Sequence, residues 1–281
     1  MSFIDRLAGV APLDRGRYLP FRVGGVEVGL LERGFADRLR EFPTTFHVVD
    51  GGVDLHQRLS GPVERTEAVA EALGRLRDDG LFPAWRGEPY PVSTAFRAPP
   101  LFTMERAAVP SFGVKAYGVH MNGFVRDGGR LEMWIGRRSR NKPTGPGKLD
   151  QLVAGGQPAG ISLRRNLVKE CWEEASIPAA VALRALPVGG ISYCTRRPEG
   201  VRHDVLFNFD LELPPGFQPV NTDGEIEEFY LWPIERAIEA VRDSDEFKFN
   251  CALVVIDFLI RHGYIEPDHP DYVDLLAGLH G

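Results

Sequence analysis

The pattern of apolar and polar positions divides the chain in two, around a stretch in which Pro89, Pro91, Pro99, Pro100 and Pro110 interrupt any regular period. Before it, Val69, Leu73 and Leu76 recur at helical spacing with Glu and Arg between them, which predicts a helix over 65–79. A second helix is predicted over 35–42, and short strands over 21–31 and 46–55. After it, 114–125 and 130–137 read as strands joined by Asp127-Gly128-Gly129, a turn that makes an antiparallel hairpin. Residues 147–160 are glycine-rich and predicted to be loop. From 162 to 175 the residues Leu163, Leu167, Val168, Cys171 and Trp172 form an apolar arc, and Ile177-Pro178 ends the segment, so a helix with one apolar side is expected. Strands over 188–194 and 205–213 and helices over 233–242 and 247–261 complete the pattern. The class is α/β: a mixed sheet covered by helices over 109–281, preceded by a smaller α+β accessory domain over 1–108.

Composition narrows the partners. With 281 residues, 43% of them hydrophobic, the chain can bury a sizeable core. Its net charge of −6 sets up no general field that gathers nucleic acid, so a phosphorylated partner must be small and held by local cations or a metal. Cys171, Cys194 and Cys251 are too few and too scattered for a disulfide framework or a zinc site, which points to reduced thiols and a cytoplasmic location. The N-terminus shows no basic segment followed by an apolar one, and the longest apolar stretch, 251–260, is broken by Asp257, so neither export nor a membrane span is expected. The oligomeric state stays open, a homodimer being compatible.

The chemistry gathers on the helix over 162–175. Glu170, Glu173 and Glu174 stand at i, i+3 and i+4 and share an arc away from the apolar one. Like charges so placed repel, which calls for a compensating cation, Mg²⁺ or Mn²⁺ by the preference of hard ions for oxygen; a solvated acidic face is the plain alternative. Just before the helix, Gly155-Gly156-Gln157-Pro158-Ala159-Gly160 lets backbone approach a ligand closely. Arg137, Arg138, Arg140, Lys142 and Lys148 concentrate positive charge upstream. Together these outline a site for a metal and a diphosphate, with Gly155, Gly156, Arg137 and Lys148 expected at the substrate. Arg137 and Arg138 are neighbours on a strand, so at most one of them reaches it. His120 and His203 read as polar strand residues.

The segment from Gly155 to Pro178, GGQPAGISLRRNLVKECWEEASIP, resembles a Nudix box: a glycine, five residues, a glutamate, seven residues, then Arg-Glu-apolar-any-Glu-Glu-any-Gly-apolar. Lys169, Glu170, Cys171, Glu173, Glu174 and Ile177 fall on the second half, with Lys169 for the arginine and Ser176 for the glycine. The glycine turn is one residue short, and the first glutamate falls on Ile161 or Ser162. The stretches GKLDQLVAGGQPAGIS, NTDGEIE and VIDFLIRHGYI are further similar to Nudix proteins linked to thiamine pyrophosphokinases, which carry an extra N-terminal domain. The resemblance implies a Nudix α/β/α sandwich and a Mg²⁺-dependent diphosphatase with Glu170, Glu173 and Glu174 as metal ligands. It implies thiamine diphosphate, or its oxidised and damaged forms, as substrate, cut to the monophosphate and phosphate. Glu225, in the Asp-Gly-Glu of the later loop, is favoured as the proton acceptor, Glu174 being the other choice.

Other readings share the fold. Nucleoside diphosphate derivatives suit the same box chemistry, and a non-catalytic diphosphate-binding module would keep the scaffold. Isopentenyl-diphosphate isomerases show a run similar to Arg137–Gly147 but need a cysteine where this chain has Leu152-Val153-Ala154. Trp134, Tyr117, Phe112, Tyr193 and Phe207 are available either to the core or to a ring-binding pocket.

Overall fold

Turn chemistry sets the N-terminal elements. A computed structural model describes residues 2–11 and 13–280. Helix α1 (Ile4–Leu7) precedes strands β1 (Tyr18–Val23) and β2 (Val26–Glu32). Gly24 and Gly25 turn the chain between these strands at φ +59° and +81°, so the single strand expected over 21–31 is a hairpin. The strand expected over 46–55 likewise folds back, into β3 (Phe46–Val49) and β4 (Gly52–Leu55). The four strands form one sheet in the order β2-β1-β4-β3. Helices α2 (Arg33–Leu39) and α3 (Pro62–Asp78) pack on it through Leu39, Val69, Leu73 and Leu76 against Phe21, Leu31 and Phe46.

The proline-rich stretch is more ordered than its composition predicts. Strand β5 (Pro89–Val92) pairs antiparallel with β6 (Phe102–Glu105) as a two-stranded ribbon. Pro89 and Pro91 are tolerated because β5 has one partner only and owes no ladder bonds on its other edge. The short helix α4 (Val109–Phe112) then leads into the second region.

That region is built on a mixed sheet of seven strands: β7 (Lys115–Asp127), β8 (Arg130–Arg138), β9 (Leu149–Asp150), β10 (Val153–Gly156), β11 (Leu186–Arg197), β12 (Gly200–Glu212) and β13 (Ile226–Pro233). Its main path runs β11-β12-β7-β8-β13, with β10 added to β7 and β9 to β8. Strands β7 and β12 are parallel, and the other pairs antiparallel. The expected hairpin at Gly128-Gly129 forms, whereas the expected loop over 147–160 supplies β9 and β10. Strand β13 escapes a period-two reading because its register shifts between Ile226 and Glu228.

Helices cover both faces. Alternation along β8 sends Leu131, Met133 and Ile135 to one side, where they meet α7 (Ile234–Asp243), α8 (Phe249–Arg261) and α9 (Tyr272–His280). It sends Trp134 to the other side, with Leu167 and Cys171 of α5 (Leu163–Ala175) and Ala182 of α6 (Ala179–Ala182). The result is an α/β/α sandwich. The two regions interlock: Val114 and Ala116 join the N-terminal core, and Phe3 joins the core around α8. No helix among the described residues is long and apolar enough to cross a membrane.

Candidate active site

Both ends of α5 are tied down by the loops around it. At its start Ser162 Oγ accepts from the Arg165 N–H at 3.3 Å, so the position where the box pattern calls for its first glutamate serves as a helix cap. Gln157 closes the preceding turn: its backbone N–H donates to Tyr117 O and its side-chain amide to Ile161 O, each at 2.8 Å. At its end Ser176 adopts a left-handed φ of +53°, where the pattern has glycine. The open carbonyls of the last turn accept from the loop over 220–222: Thr222 Oγ1 donates to Glu173 O at 2.7 Å and Asn221 Nδ2 to Glu174 O at 3.3 Å. The Asn-Thr-Asp-Gly segment thereby fastens Glu225 to the helix that carries the three glutamates.

Those glutamates sit at graded depths. Glu174 is buried and accepts from the Ala154 N–H at 2.7 Å. Burial and the neighbouring Glu170 and Asp150 carboxylates push its pKa well above the usual range. Glu170 lies against Gly155, and burial raises its pKa despite the nearby Lys169 ammonium, with Glu173 adding to the rise. Glu173 is the open one, with 38% of its side chain exposed. Lys169 bridges the outer pair, 3.2 Å from Glu170 and 2.7 Å from Glu173. Two of the three hard-oxygen donors thus share one ammonium, a donor set and charge surplus suited to a divalent cation.

Glu225 faces the helix acids across a cavity of about 410 Å³. It is paired with Lys142 and lies 3.4 Å from Arg86. Burial works to raise its pKa, but the Lys142 hydrogen bond and charge, with Arg86 and Arg106, outweigh it and hold the carboxyl below its ordinary value. Seven cationic and seven acidic side chains line the cavity, so a bound diphosphate tips the balance negative and calls for a further positive charge. Arg86, Tyr90 and Arg106 come from the N-terminal region and carry no motif that marks them in the sequence.

The expected substrate residues divide. Gly155 and Gly156 line the cavity, as do Arg138 and Lys142. Arg137 points elsewhere: it donates to the Tyr230 hydroxyl at 3.0 Å and to Gly147 O at 2.9 Å, because strand alternation gives the cavity face to Arg138. Lys148 reaches Asp245 at 3.2 Å and lines a neighbouring cavity instead. Trp134, Phe112 and Tyr193 are core residues. Tyr117 lines the cavity and clusters with Phe207 and Phe96, at ring separations of 4.9 Å (Phe96 to Tyr117) and 4.6 Å (Phe96 to Phe207).

At the wall of the cavity, which His120 lines, donor atoms of His120, Asp150 and Cys251 lie within 4.8 Å of one another. Their partners are taken, however. Asp150 pairs with Arg138 at 2.6 Å and accepts from the Cys251 thiol at 2.8 Å, while His120 Nδ1 meets Gln151 Oε1 at 2.8 Å. With Arg138 already neutralising the carboxylate, this trio reads as a structural network that supports the wall of the site.

Comparison with known proteins bears on both regions. A family described as a domain of unknown function (DUF4743) matches residues 4–116. Two relatives from Arabidopsis thaliana, Nudix hydrolase 20, chloroplastic, and Nudix hydrolase 24, chloroplastic, are each 48% identical, over 94% of this chain and 73% of each relative. Among solved structures, a MutT protein from Methanosarcina mazei Go1 is similar at 19% identity and a TM-score of 0.39, over 51% of this chain and 92% of that one. The names of the two plant relatives overturn the expected cytoplasmic location. Three free cysteines argue against a disulfide framework but do not single out the cytoplasm.

Proposed function

The chain belongs to the Nudix hydrolase family and is a pyrophosphohydrolase, and on that premise we propose that it hydrolyses thiamine diphosphate, or the oxidised and damaged forms of that compound, to the monophosphate and phosphate. The observation that carries the reading is the cavity itself, where Glu170 and Glu173 stand on one side, Glu225 on another, and Arg138 and Lys142 beside them. Tyr117 lines this cavity and offers its ring to the substrate's, backed by contact with Phe96.

Nudix hydrolases generally use a divalent metal. We assign Mg²⁺ here, with Glu170, Glu173 and Glu174 as the residues that would hold it. When bound, such an ion neutralises diphosphate charge and lowers the pKa of a water. The chain's own side chains do the rest. Lys142 binds phosphate oxygens by charge-assisted hydrogen bonds, and Arg138, buried and bonded to Asp150 and to the Thr144 and Gly145 carbonyls, holds the loop that carries it. Glu225, ionised at neutral pH, accepts the proton as a water oxygen bonds to phosphorus and the bridging P–O bond breaks. Gly155 and Gly156 keep the wall thin where the carboxylate and substrate meet. We read residues 1–108 as an accessory domain and 109–281 as the hydrolase domain; the first region has an apolar core of its own, into which Val109, Phe112, Val114 and Ala116 of the second also pack.

Nucleoside diphosphate derivatives are the second reading, because the Tyr117 ring on the cavity wall suits a purine as well as a pyrimidine. Turnover of a panel holding thiamine diphosphate, its oxo and oxy analogues, ADP-ribose and dinucleotides separates the two. The thiamine compounds are expected to give the highest kcat/KM; a nucleotide at the head of the ranking overturns that choice.

A further inference from the structure

The β5–β6 ribbon is built against the cavity. The Ala159 N–H of the glycine turn donates to Pro89 O at 2.9 Å. The Tyr90 hydroxyl occupies room left by Gly156, where a Cβ would come within 1.5 Å of it. The approach to the ribbon is held by Glu105, a buried carboxylate that accepts from the backbone N–H groups of Arg86 at 2.9 Å, Glu88 at 3.1 Å and Ala107 at 3.2 Å. A buried carboxylate satisfied by three amides makes a rigid joint. Arg86 and Arg106 project from this joint into the cavity. Arg86 approaches Glu225 to 3.4 Å, Arg106 pairs with Glu88 at 2.9 Å, and the two keep 42% and 44% of their side chains open. The Arg106 guanidinium also lies over the Tyr90 ring, 5.7 Å from its centroid.

We propose that Arg86 and Arg106 bind the phosphate groups of the substrate, so that the N-terminal region forms one wall of the catalytic cavity and takes part in recognition. This rests on the hydrolase reading given above. The helix side of the cavity is acidic and repels a polyanion unless cations face it, and a guanidinium fork matches phosphate oxygens in pairs. Both arginines line the same cavity as Glu170 and Glu225 and act electrostatically on Glu225.

Calorimetric titration of the full chain with imidodiphosphate, a diphosphate whose bridging nitrogen resists cleavage, tests this in the presence of Mg²⁺. Arg86→Gln and Arg106→Gln are each expected to weaken Kd about tenfold or more, as for loss of a charge-assisted hydrogen bond, with Arg106→Lys recovering part of it. Melting curves identify any variant that fails to fold. If Arg106→Gln is one, Arg86→Gln decides, since its side-chain partner is the half-buried Glu225. Affinities within twofold of the parent chain overturn the proposal, as does failure of the parent to bind imidodiphosphate. Turnover by the parent chain and by a Glu173→Gln variant is read separately: if the parent hydrolyses no diphosphate, the hydrolase reading fails while the binding result stands, and if turnover persists in the variant, only the assignment of Glu173 to the metal fails. If it is lost but the arginine variants bind normally, this inference alone fails.

Discussion

A Cβ on Gly155 would lie 2.2 Å from the Cδ of Glu170, so the carboxyl of the helix occupies the space that this residue's missing side chain leaves open. The strand β10 and the helix α5 are registered to each other by that fit. Gly155→Ala is therefore expected to displace Glu170 and lower kcat/KM roughly a hundredfold, the scale of an ångström of misplacement at a reacting centre. Steady-state kinetics with circular dichroism to verify the fold checks this; parent-like kcat/KM in a folded variant contradicts it.

The neighbouring glycine makes an independent case. A methyl at position 156 collides with the Tyr90 hydroxyl, and Gly156→Ala should cost about 1–3 kcal/mol, as overpacking does. Removing the hydroxyl with Tyr90→Phe in the same chain should recover part of that loss. Urea denaturation of the two single variants and the double variant gives the coupling; strict additivity denies the contact.

Acid stability should depend on Asp150. Burial works to raise its pKa, but Arg138, Lys248 and His120 outweigh it and hold the carboxyl below its usual range. A depressed native pKa means that this stabilisation is fully present above the unfolded value of about 4 and is lost as the pH falls toward the native one. Arg138→Met leaves the carboxylate buried without its partner and should cost about 3–5 kcal/mol at pH 7. Its pKa then rises, so protonation relieves the variant first, and the gap to the parent chain should narrow near pH 4.5. A gap of equal size at both pH values contradicts the account.

The three thiols should differ in reactivity. Cys251 is buried and donates to Asp150 at 2.8 Å, and its pKa is pushed well up by burial and that carboxylate. Burial takes Cys171 up to about 12, whereas Cys194 is only half-buried. A thiol reagent applied to the native chain should modify Cys194 first, which peptide mapping reads directly. Early modification of Cys171 or Cys251 contradicts the packing described.

What was legible in the sequence follows from range. The helix expected over 162–175 is observed at Leu163–Ala175, because a 3.6-residue period records one buried face and leaves the carboxylates on another. The hairpins at Gly24-Gly25 and Asp50-Gly51 were hidden because apolar residues continue on both sides of each turn. Strand phase was hidden too: alternation says that Arg137 and Arg138 face opposite ways, but only the register of β8 with β9 and β13 decides which one meets the cavity. Arg86, Tyr90 and Arg106 were illegible for a further reason. They reach the site by tertiary docking of a proline-rich ribbon whose local pattern points to loop.

The most direct test of the central claim compares the parent chain with Glu173→Gln for Mg²⁺-dependent release of phosphate from thiamine diphosphate, its oxidised analogues and the nucleotide members of the panel. Glu173 is the least buried of the three helix acids, so the substitution spares the fold. The account predicts turnover that requires the metal, stops when it is chelated, and falls at least about a hundredfold in the variant, as for loss of a group that acts in the transition state. Turnover that survives Glu173→Gln, or a folded parent chain that hydrolyses no diphosphate, would contradict it.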